Sequence, residues 1–194
     1  FDYADANGKM RWMAIAARDA AMPIFFAQGI YRADRSDAPA LLTDTTIGLK
    51  PWPNGVPEKE QPRVIGGTRS AEVIPELEPR SEDYYIPKYR WSAFFQTYLD
   101  LAYHQTFLDL LLRSRGIDTV VISGGSTDVG VAPTVFAGRD MDYNFIVVRD
   151  ACATNHDQRA HEILMEAVFP QMARVRTTSE VLQMISDARR KQTE

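Results

Sequence analysis

The pattern of apolar and polar positions predicts helices and strands that alternate along the chain. From Met10 to Ala21 the apolar residues recur at helical spacing, with basic residues on the opposite face. This helix is predicted to stop at Pro23, and Pro23 to Ala27 forms a short continuous apolar run, typical of a strand buried on both faces. A helix followed by such a strand is the first indication of an α/β fold.

A long irregular segment follows this strand. Residues 28–62 show little periodicity, are rich in proline and include the turn signal Asn54-Gly55. Loops of this length are uncommon in compact domains and often act as lids or binding loops. The segment is therefore predicted to serve substrate access or subunit contact, with a packed surface loop as the alternative.

The second half of the chain repeats the alternation. A helix is predicted from Leu99 to Arg115, where Gly116 ends it, and Ser179 is the expected N-cap of a terminal helix. Between them the pattern predicts buried strands at residues 119–123 and 144–148 and helices at 129–140 and 156–168. A last strand is predicted at 173–177.

This alternation indicates an α/β fold, in which helices cover both faces of a mostly parallel sheet. The length of 194 residues suits a single domain, so residues 1–194 are expected to form one. Because residues 24–27, 119–123 and 144–148 share the pattern of strands buried on both faces, they are expected to be adjacent or near-adjacent in one parallel sheet.

Charge and hydropathy exclude several classes of partner. The 22 basic and 26 acidic residues give a net charge of −4 at pH 7, which disfavours a nucleic-acid partner. The apolar stretches are far shorter than the roughly 20 residues that span a bilayer, and the acidic N-terminus lacks the features of a signal peptide. Cys152 is the single cysteine, so no internal disulfide can form. We therefore expect a soluble, cytoplasmic protein with no nucleic-acid and no membrane partner.

The turn after strand 119–123 is the first place where a ligand is expected, because parallel α/β sheets bind ligands at the carboxyl ends of their strands. It reads Gly124-Gly-Ser-Thr-Asp-Val-Gly130. Glycines allow close backbone approach, and the start of the next helix directs unpaired N–H groups toward an anion or a developing oxyanion. By itself the pattern is also typical of turns that use glycine for purely steric reasons.

Lys88 is the second candidate. It follows the apolar run Tyr84-Tyr-Ile86 and begins the segment Lys88-Tyr-Arg-Trp-Ser-Ala-Phe94. A partly buried lysine near a carboxylate can orient a substrate or support an acid/base pair. An ordinary surface lysine is the alternative.

Several ordered motifs resemble the isochorismatase-like superfamily, also called the cysteine hydrolases. The match extends over nearly the whole chain from Met10, with motifs at residues 67–77, 88–94, 111–117, 124–131 and 150–152. The resemblance implies a Rossmann-like three-layer sandwich around a mostly parallel, six-stranded sheet. It also implies hydrolysis of small molecules, either of amides by an Asp, Lys and Cys triad or, as in true isochorismatases, of a vinyl ether without a cysteine nucleophile.

The resemblance assigns roles to residues of the two candidate segments. Lys88 falls on the family's catalytic lysine, which favours the functional interpretation over the surface one. The turn is implied to contain a non-proline cis peptide at Gly125-Ser126. Gly125, Ser126 and Thr127 are then expected to bind an oxyanion or the substrate.

Two departures from the family pattern affect the chemistry. Gly130 stands where the family has its nucleophilic cysteine, and glycine has no side chain that can attack a substrate. The family's catalytic aspartate lies on a first strand that is implied to precede Phe1, so residues 1–8 are expected to form the loop after that strand. Asp2 and Asp5 are expected to be solvated loop residues rather than replacements.

The other reactive side chains give little support for thiol or metal chemistry. Cys152, in a segment expected to follow a later strand, is interpreted as a packed thiol. The histidines His104, His156 and His161 lack the spacing of metal ligands and are expected to be exposed or hydrogen-bonded. No metal and no cofactor are expected.

The leading hypothesis is an isochorismatase-like hydrolase of a small polar molecule that works without a covalent cysteine step. An upstream aspartate would act as acid and base, Lys88 would support it, and backbone N–H groups near Ser126 and Gly130 would hold negative charge. The alternatives are a cysteine amidohydrolase whose nucleophile Gly130 replaces, and a non-catalytic binding protein on the same fold. A homo-oligomer is expected because the segment between Phe95 and Leu108 adds apolar and aromatic surface.

Overall fold

The computed structural model describes residues 3–32, 64–95 and 107–193, and its helices and strands alternate. The helices are α1 (Tyr3–Asp19), α2 (Phe107–Ser114), α3 (Ala132–Asp140), α4 (Gln158–Ile163) and α5 (Thr178–Thr193). The strands are β1 (Phe25–Gly29), β2 (Tyr84–Lys88), β3 (Thr119–Gly125), β4 (Asn144–Ala153) and β5 (Arg174–Arg176). The short helical turns are π-helical at Thr127–Val131 and Leu164–Val168 and 3-10 at Arg69–Ala71, Pro75–Leu77 and Phe169–Gln171.

The strands form two parallel sheets within the described residues. In the first, β1 pairs with β2, with Phe25 opposite Tyr84 and Gly29 opposite Lys88. In the second, β4 lies between β3 and β5 and runs parallel to both. The predicted α/β fold with parallel pairing is confirmed, whereas the described residues form sheets of two and three strands rather than one six-stranded sheet.

The prediction that three apolar runs share one sheet is wrong for the first run. Residues 119–123 and 144–148 lie in the neighbouring strands β3 and β4, but residues 24–27 lead into β1, which belongs to the other sheet. Ala27 is exposed and the other residues of β1 are half-buried, so burial on both faces does not hold there. An apolar pattern reports which faces of a strand are covered, and it does not specify the neighbour that the strand bonds.

Helices cover both faces of the sheet β3–β4–β5. Along β4, Phe145 and Val147 pack on one face and Ile146 and Val148 on the other, as the alternation of strand side chains requires. The first face packs against α2 and α3, and the second packs against α1 and α5. This layering places the carboxyl ends of β3 and β4 side by side.

The first helix starts earlier than predicted, at Tyr3, so the expectation that residues 1–8 form a loop is wrong for the described part of that segment. Ala6 is buried, which extends the apolar stripe by one helical turn. Lys9 Nζ lies 2.6 Å from the carboxylate of Asp5, across one turn of the helix. Asp5 is thus an exposed helical residue rather than a loop residue.

The N-cap of α5 is Thr177 rather than Ser179. The N–H of Thr177 donates to Glu180 Oε2 at 2.7 Å, and the N–H of Glu180 donates to Thr177 Oγ1 at 3.3 Å. This reciprocal pair is a capping box, which satisfies two N–H groups at the start of the helix. Hydrogen bonds from the Thr177 backbone and hydroxyl lower the pKa of Glu180. Ser179 therefore lies inside the first turn.

The other predicted elements differ mainly at their boundaries. Residues 156–168 form α4 and the π-helical turn after it, with Asp157 as the N-cap that accepts from the N–H of Arg159 at 2.9 Å. Of the helix predicted at 99–115, the described part is α2, and the loop predicted at 28–62 lies mostly outside the described residues. Within the residues that the structure describes, no helix is long and apolar enough to cross a membrane.

Candidate active site

Lys88 is the last residue of β2 and lies opposite Gly29 at the carboxyl end of the first sheet. Its Nζ donates to the carbonyl oxygens of Trp91 at 3.0 Å and Arg90 at 3.3 Å, so the side chain folds back over the segment that follows the strand. Desolvation by burial lowers the pKa of this amine. A half-buried ammonium group fixed in this way can face negative charge on a bound molecule.

The turn after β3 contains a cis peptide between Gly125 and Ser126, which confirms the feature that the resemblance implies. A π-helical turn follows at once, and the N–H groups of Gly130 and Val131 both donate to the carbonyl of Ser126, at 2.8 and 3.1 Å. Turns of this kind are rare and occur frequently at functional sites. The predicted oxyanion donors are the N–H groups of Ser126 and Gly130. Because the Gly130 N–H already donates to the Ser126 carbonyl, the Ser126 N–H is the better candidate of the two.

Gly130 occupies a position that has room for a side chain. A Cβ atom built there would lie 3.4 Å from the carbonyl oxygen of Gly125 and 3.7 Å from its carbon, at the short end of ordinary contact distances. The backbone at Gly130 also has no positive φ that would require glycine. The absence of a nucleophilic side chain is therefore not imposed by the geometry of the turn.

The Thr127 side chain faces the core, so the prediction that Thr127 binds an oxyanion or the substrate can rest only on its backbone. It is fully buried, and its hydroxyl donates to the carbonyl of Ala153 at 3.1 Å and lies 2.9 Å from Nδ1 of His161. His161 is itself buried, and desolvation lowers its pKa. Thr127 thus fixes the turn to the end of β4 and to α4.

The residues on either side of Thr127 also bind the segment after β4. The Ser126 hydroxyl donates to the side-chain oxygen of Asn155 at 3.1 Å. The Asp128 carboxylate accepts from the Thr154 hydroxyl at 2.9 Å and lies 3.0 Å from Nδ1 of His156. Three consecutive side chains of the turn, at positions 126, 127 and 128, therefore hold it against the end of the neighbouring strand.

The histidines at this edge act as hydrogen-bonding groups. His156 pairs with Asp128 and His161 with Thr127, which confirms the predicted hydrogen bonding, while His104 lies outside the described residues. Within the described ranges, no three side chains of His, Cys, Asp or Glu converge as ligands of a metal would.

Cys152 is the packed thiol that the sequence predicts, although it lies within β4 and not after it. Its side chain is fully buried, and this burial raises the pKa of the thiol to about 12. A thiol that stays protonated at neutral pH is a poor nucleophile, because the thiolate is the reactive form. Cys152 is therefore not a candidate nucleophile.

Thr134, in the first turn of α3, connects the two candidate segments and was missed by the sequence analysis. Its hydroxyl accepts from the N–H of Ala93 at 3.0 Å and donates to the carbonyl of Gly130 at 2.7 Å. Ala93 lies in the segment that follows Lys88. The connection holds the segment after β2 against the turn after β3.

Comparison with known proteins identifies similar chains. A family model described as Isochorismatase domain matches residues 2–180. The uncharacterized isochorismatase family protein YwoC of Bacillus subtilis (strain 168) is 37% identical over 115 residues, which are 59% of this chain and 56% of YwoC. YecD of Escherichia coli O157:H7, with the same description, is 28% identical over 170 residues, 88% of this chain and 78% of YecD. A solved isochorismatase family protein from Burkholderia thailandensis has a TM-score of 0.75 and 27% identity, covering 94% of this chain and 84% of its own.

Proposed function

The chain belongs to the isochorismatase family, and we propose that it hydrolyses a small polar molecule without forming a covalent enzyme intermediate. The proposal rests on Gly130, which the resemblance of the motifs places at the family's nucleophile position and which has no side chain that can attack a substrate. A site without a nucleophilic side chain must use proton transfer or attack by water.

Vinyl-ether hydrolysis suits such a site. A carboxylic acid protonates the enol-ether carbon, and water then adds to the resulting cation while the carboxylate takes a proton from that water. The adduct collapses to a carbonyl compound and an alcohol. We assign the acid and base role to an aspartate upstream of Phe1, which would have to reach the edge where β2 and β3 end.

Lys88 and Ser126 supply the polar groups of this proposed site. The Lys88 ammonium group, held by the carbonyl oxygens of Trp91 and Arg90, would stabilise negative charge on the substrate or on the aspartate. The Ser126 N–H would hold a partial negative charge on a substrate oxygen. Gly125 contributes close backbone approach, since it offers no side chain to keep the substrate away.

A cysteine amidohydrolase with its nucleophile replaced is the second candidate. It is favoured by one observation, the clearance of 3.4 Å between a Cβ at position 130 and the Gly125 carbonyl oxygen. A cysteine would fit this position with little movement of the backbone. A non-catalytic binding protein on the same fold is the third candidate.

The experiment compares hydrolysis of vinyl ethers and of small amides by the protein and by three variants. We expect vinyl-ether hydrolysis that thiol alkylation leaves unchanged and that Lys88→Ala lowers by at least about 10²-fold. Lys191→Ala, which removes an exposed lysine of α5, is the matched control and should retain full activity. Amidase activity gained by Gly130→Cys, with the parent inert on vinyl ethers, would support the second candidate. Ligand binding without turnover in any variant would support the third.

We further propose that the protein acts in the cytoplasm as a homo-oligomer on a small-molecule substrate. A single free and buried cysteine suits a reducing compartment. The segment that motivates the oligomer lies mostly outside the described residues, but Phe95 and Phe107 on either side of it are 44% and 48% exposed. Exposed aromatic side chains of this kind favour coverage by a partner.

A further inference from the structure

We propose that Thr134 is a positioning residue that sets the separation between Lys88 and the turn at Gly130. The inference rests on the proposed function and adds a residue to it. The Thr134 hydroxyl accepts one hydrogen bond from the Lys88 side of the site, through the N–H of Ala93, and donates one to the carbonyl of Gly130 on the other side. One hydroxyl thus bridges the segment after β2 and the turn after β3.

The long-range partner separates this arrangement from an ordinary helical one. A threonine that bonds the carbonyl four residues before it is common in helices and acts only locally. Thr134 makes that bond to Gly130, but it also holds Ala93, which is 41 residues away in the chain. The second bond has no role within the helix, and its effect is to fix the segment after β2.

Burial makes the bridge sensitive to removal of the hydroxyl. Thr134 is 6% exposed, and Ala93 and Phe94 are 3% and 2% exposed. If the hydroxyl is lost, water cannot reach the Ala93 N–H without movement of the chain, because the surrounding residues are buried. A buried donor without an acceptor is costly. The segment after β2 must therefore shift, or an unpaired donor must remain in the core.

Such a shift would act on Lys88 directly. The carbonyl oxygens that hold its Nζ belong to Arg90 and Trp91, and the chain between them and Ala93 is short and closed by a hydrogen bond from the Phe94 N–H to the Ser92 hydroxyl at 3.0 Å. Movement of Ala93 therefore moves the acceptors of the Lys88 ammonium group. Misplacement of a catalytic group by about 1 Å can cost about 10²-fold in rate.

The kinetic test uses Thr134→Val, which keeps the shape and removes the hydroxyl, and Thr134→Ser, which keeps the hydroxyl. We expect Thr134→Val to lower kcat by about 10²-fold with little change in KM, and Thr134→Ser to restore most of the loss. Thr178→Val is the matched control, because Thr178 is also 6% exposed and its hydroxyl bonds Asp150 at the start of α5. It should reduce thermal stability to a similar extent and leave kcat unchanged.

A second readout does not depend on activity. The rate at which acetic anhydride labels Lys88 is measured by mass spectrometry, with the exposed Lys191 as internal reference. We expect the labelling rate of Lys88 to change several-fold in Thr134→Val and to stay at the parent rate in Thr178→Val, because only the first variant displaces the carbonyl oxygens that hold the Lys88 amine. Labelling that stays at the parent rate overturns the inference, as does a loss of kcat equal to that of Thr178→Val. If the parent hydrolyses neither substrate class, the proposed function fails while the labelling rates still decide the role of Thr134.

Discussion

Replacing Asp83 with asparagine is expected to destabilise the fold strongly, because the substitution removes the counter-charge of a buried arginine. The side chains of Arg18 and Asp83 are 9% and 4% exposed, and Arg18 Nη2 donates to Asp83 Oδ2 at 2.7 Å. The pair joins the end of α1 to the residue before β2. The pair thus links α1, which covers the sheet β3–β4–β5, to the start of β2 in the other sheet. Lys88 lies at the opposite end of β2.

The size of the effect follows from what each partner retains. Arg18 Nη2 also donates to the carbonyl of Glu78 at 3.0 Å, whereas Arg18 Nε and Nη1 are buried without a hydrogen-bond partner in the described structure. After the substitution, the guanidinium group keeps only neutral acceptors, the Glu78 carbonyl and the amide oxygen at position 83, and has lost its buried counter-charge. Breaking a buried pair by removing one partner costs about 3–5 kcal/mol. At about 2–4 °C per kcal/mol for a domain of this size, Asp83→Asn should lower Tm by about 6–20 °C.

Thermal and urea unfolding followed by circular dichroism measure this loss. The control is Asp187→Asn, because Asp187 pairs with Arg190 at the surface, where the side chains are 50% and 66% exposed, and such pairs contribute at most about 1 kcal/mol. The double variant Arg18→Met, Asp83→Leu should recover most of the lost stability, since apolar replacement of a whole buried pair is often neutral. If Asp83→Asn is as stable as Asp187→Asn, the reasoning about the buried charge is refuted.

Three further predictions concern the core and the assembly. Burial and the hydrogen bond to Asp109 raise the pKa of Tyr143 to about 12, so a phenol that titrates well above pH 10 should disappear from the absorbance titration of Tyr143→Phe. Because this folded-state pKa lies above the unfolded one, the stability contributed by the neutral phenol is complete below pH 10 and is lost as the pH rises through about 12. Cys152, with its thiol pKa raised to about 12 by burial, should react with a thiol reagent only at the rate of unfolding; rapid labelling of the native protein would contradict this. Static light scattering at micromolar concentration should give at least a dimer, and a monomer would count against the oligomer.

The sequence predicts elements well where a single periodicity dominates. The alternation through Phe145 to Val148 places β4 correctly, because each side chain has a covered face to pack against. In α1, Gly8 lowers helix propensity near the start of the helix, and the start at Tyr3 depends on the burial of Ala6 by contact with other parts of the chain. That contact is tertiary and leaves only a weak mark on the sequence.

One boundary could have been predicted and was missed. Thr177 and Glu180 have the spacing of a capping box, and this signal outranks the lone serine at position 179. In contrast, the pairing of β1 with β2 could not have been predicted from the side-chain pattern. Hydrogen bonding between strands runs along their edges, and the side-chain pattern reports only their faces.

The candidate site divides in the same way. Lys88 and Gly130 are predicted from motifs, because a motif depends only on the spacing of residues along the sequence and not on the orientation of their side chains. The inward orientation of the Thr127 side chain is shown by its bonds to Ala153 and His161, and spacing along the sequence carries no information about those partners. Thr134 has a local signal, its position four residues after Gly130, but its second partner in the segment after β2 can be found only in three dimensions.

Hydrogen bonds of neighbouring residues fix the backbone at position 130. Ser126, Thr127 and Asp128 bind the end of β4 and α4, and Thr134 holds the Gly130 carbonyl, so the backbone path is set without any atom beyond the Gly130 Cα. A cysteine placed there would gain up to about 1 kcal/mol from leaving glycine in a helical turn, offset by the close approach of its Cβ to the Gly125 oxygen at 3.4 Å. Gly130→Cys should therefore fold like the parent, with a free energy of unfolding within about 1 kcal/mol of it. Its activity then reports the chemistry of the site alone, because the frame that would position the new thiol is already present.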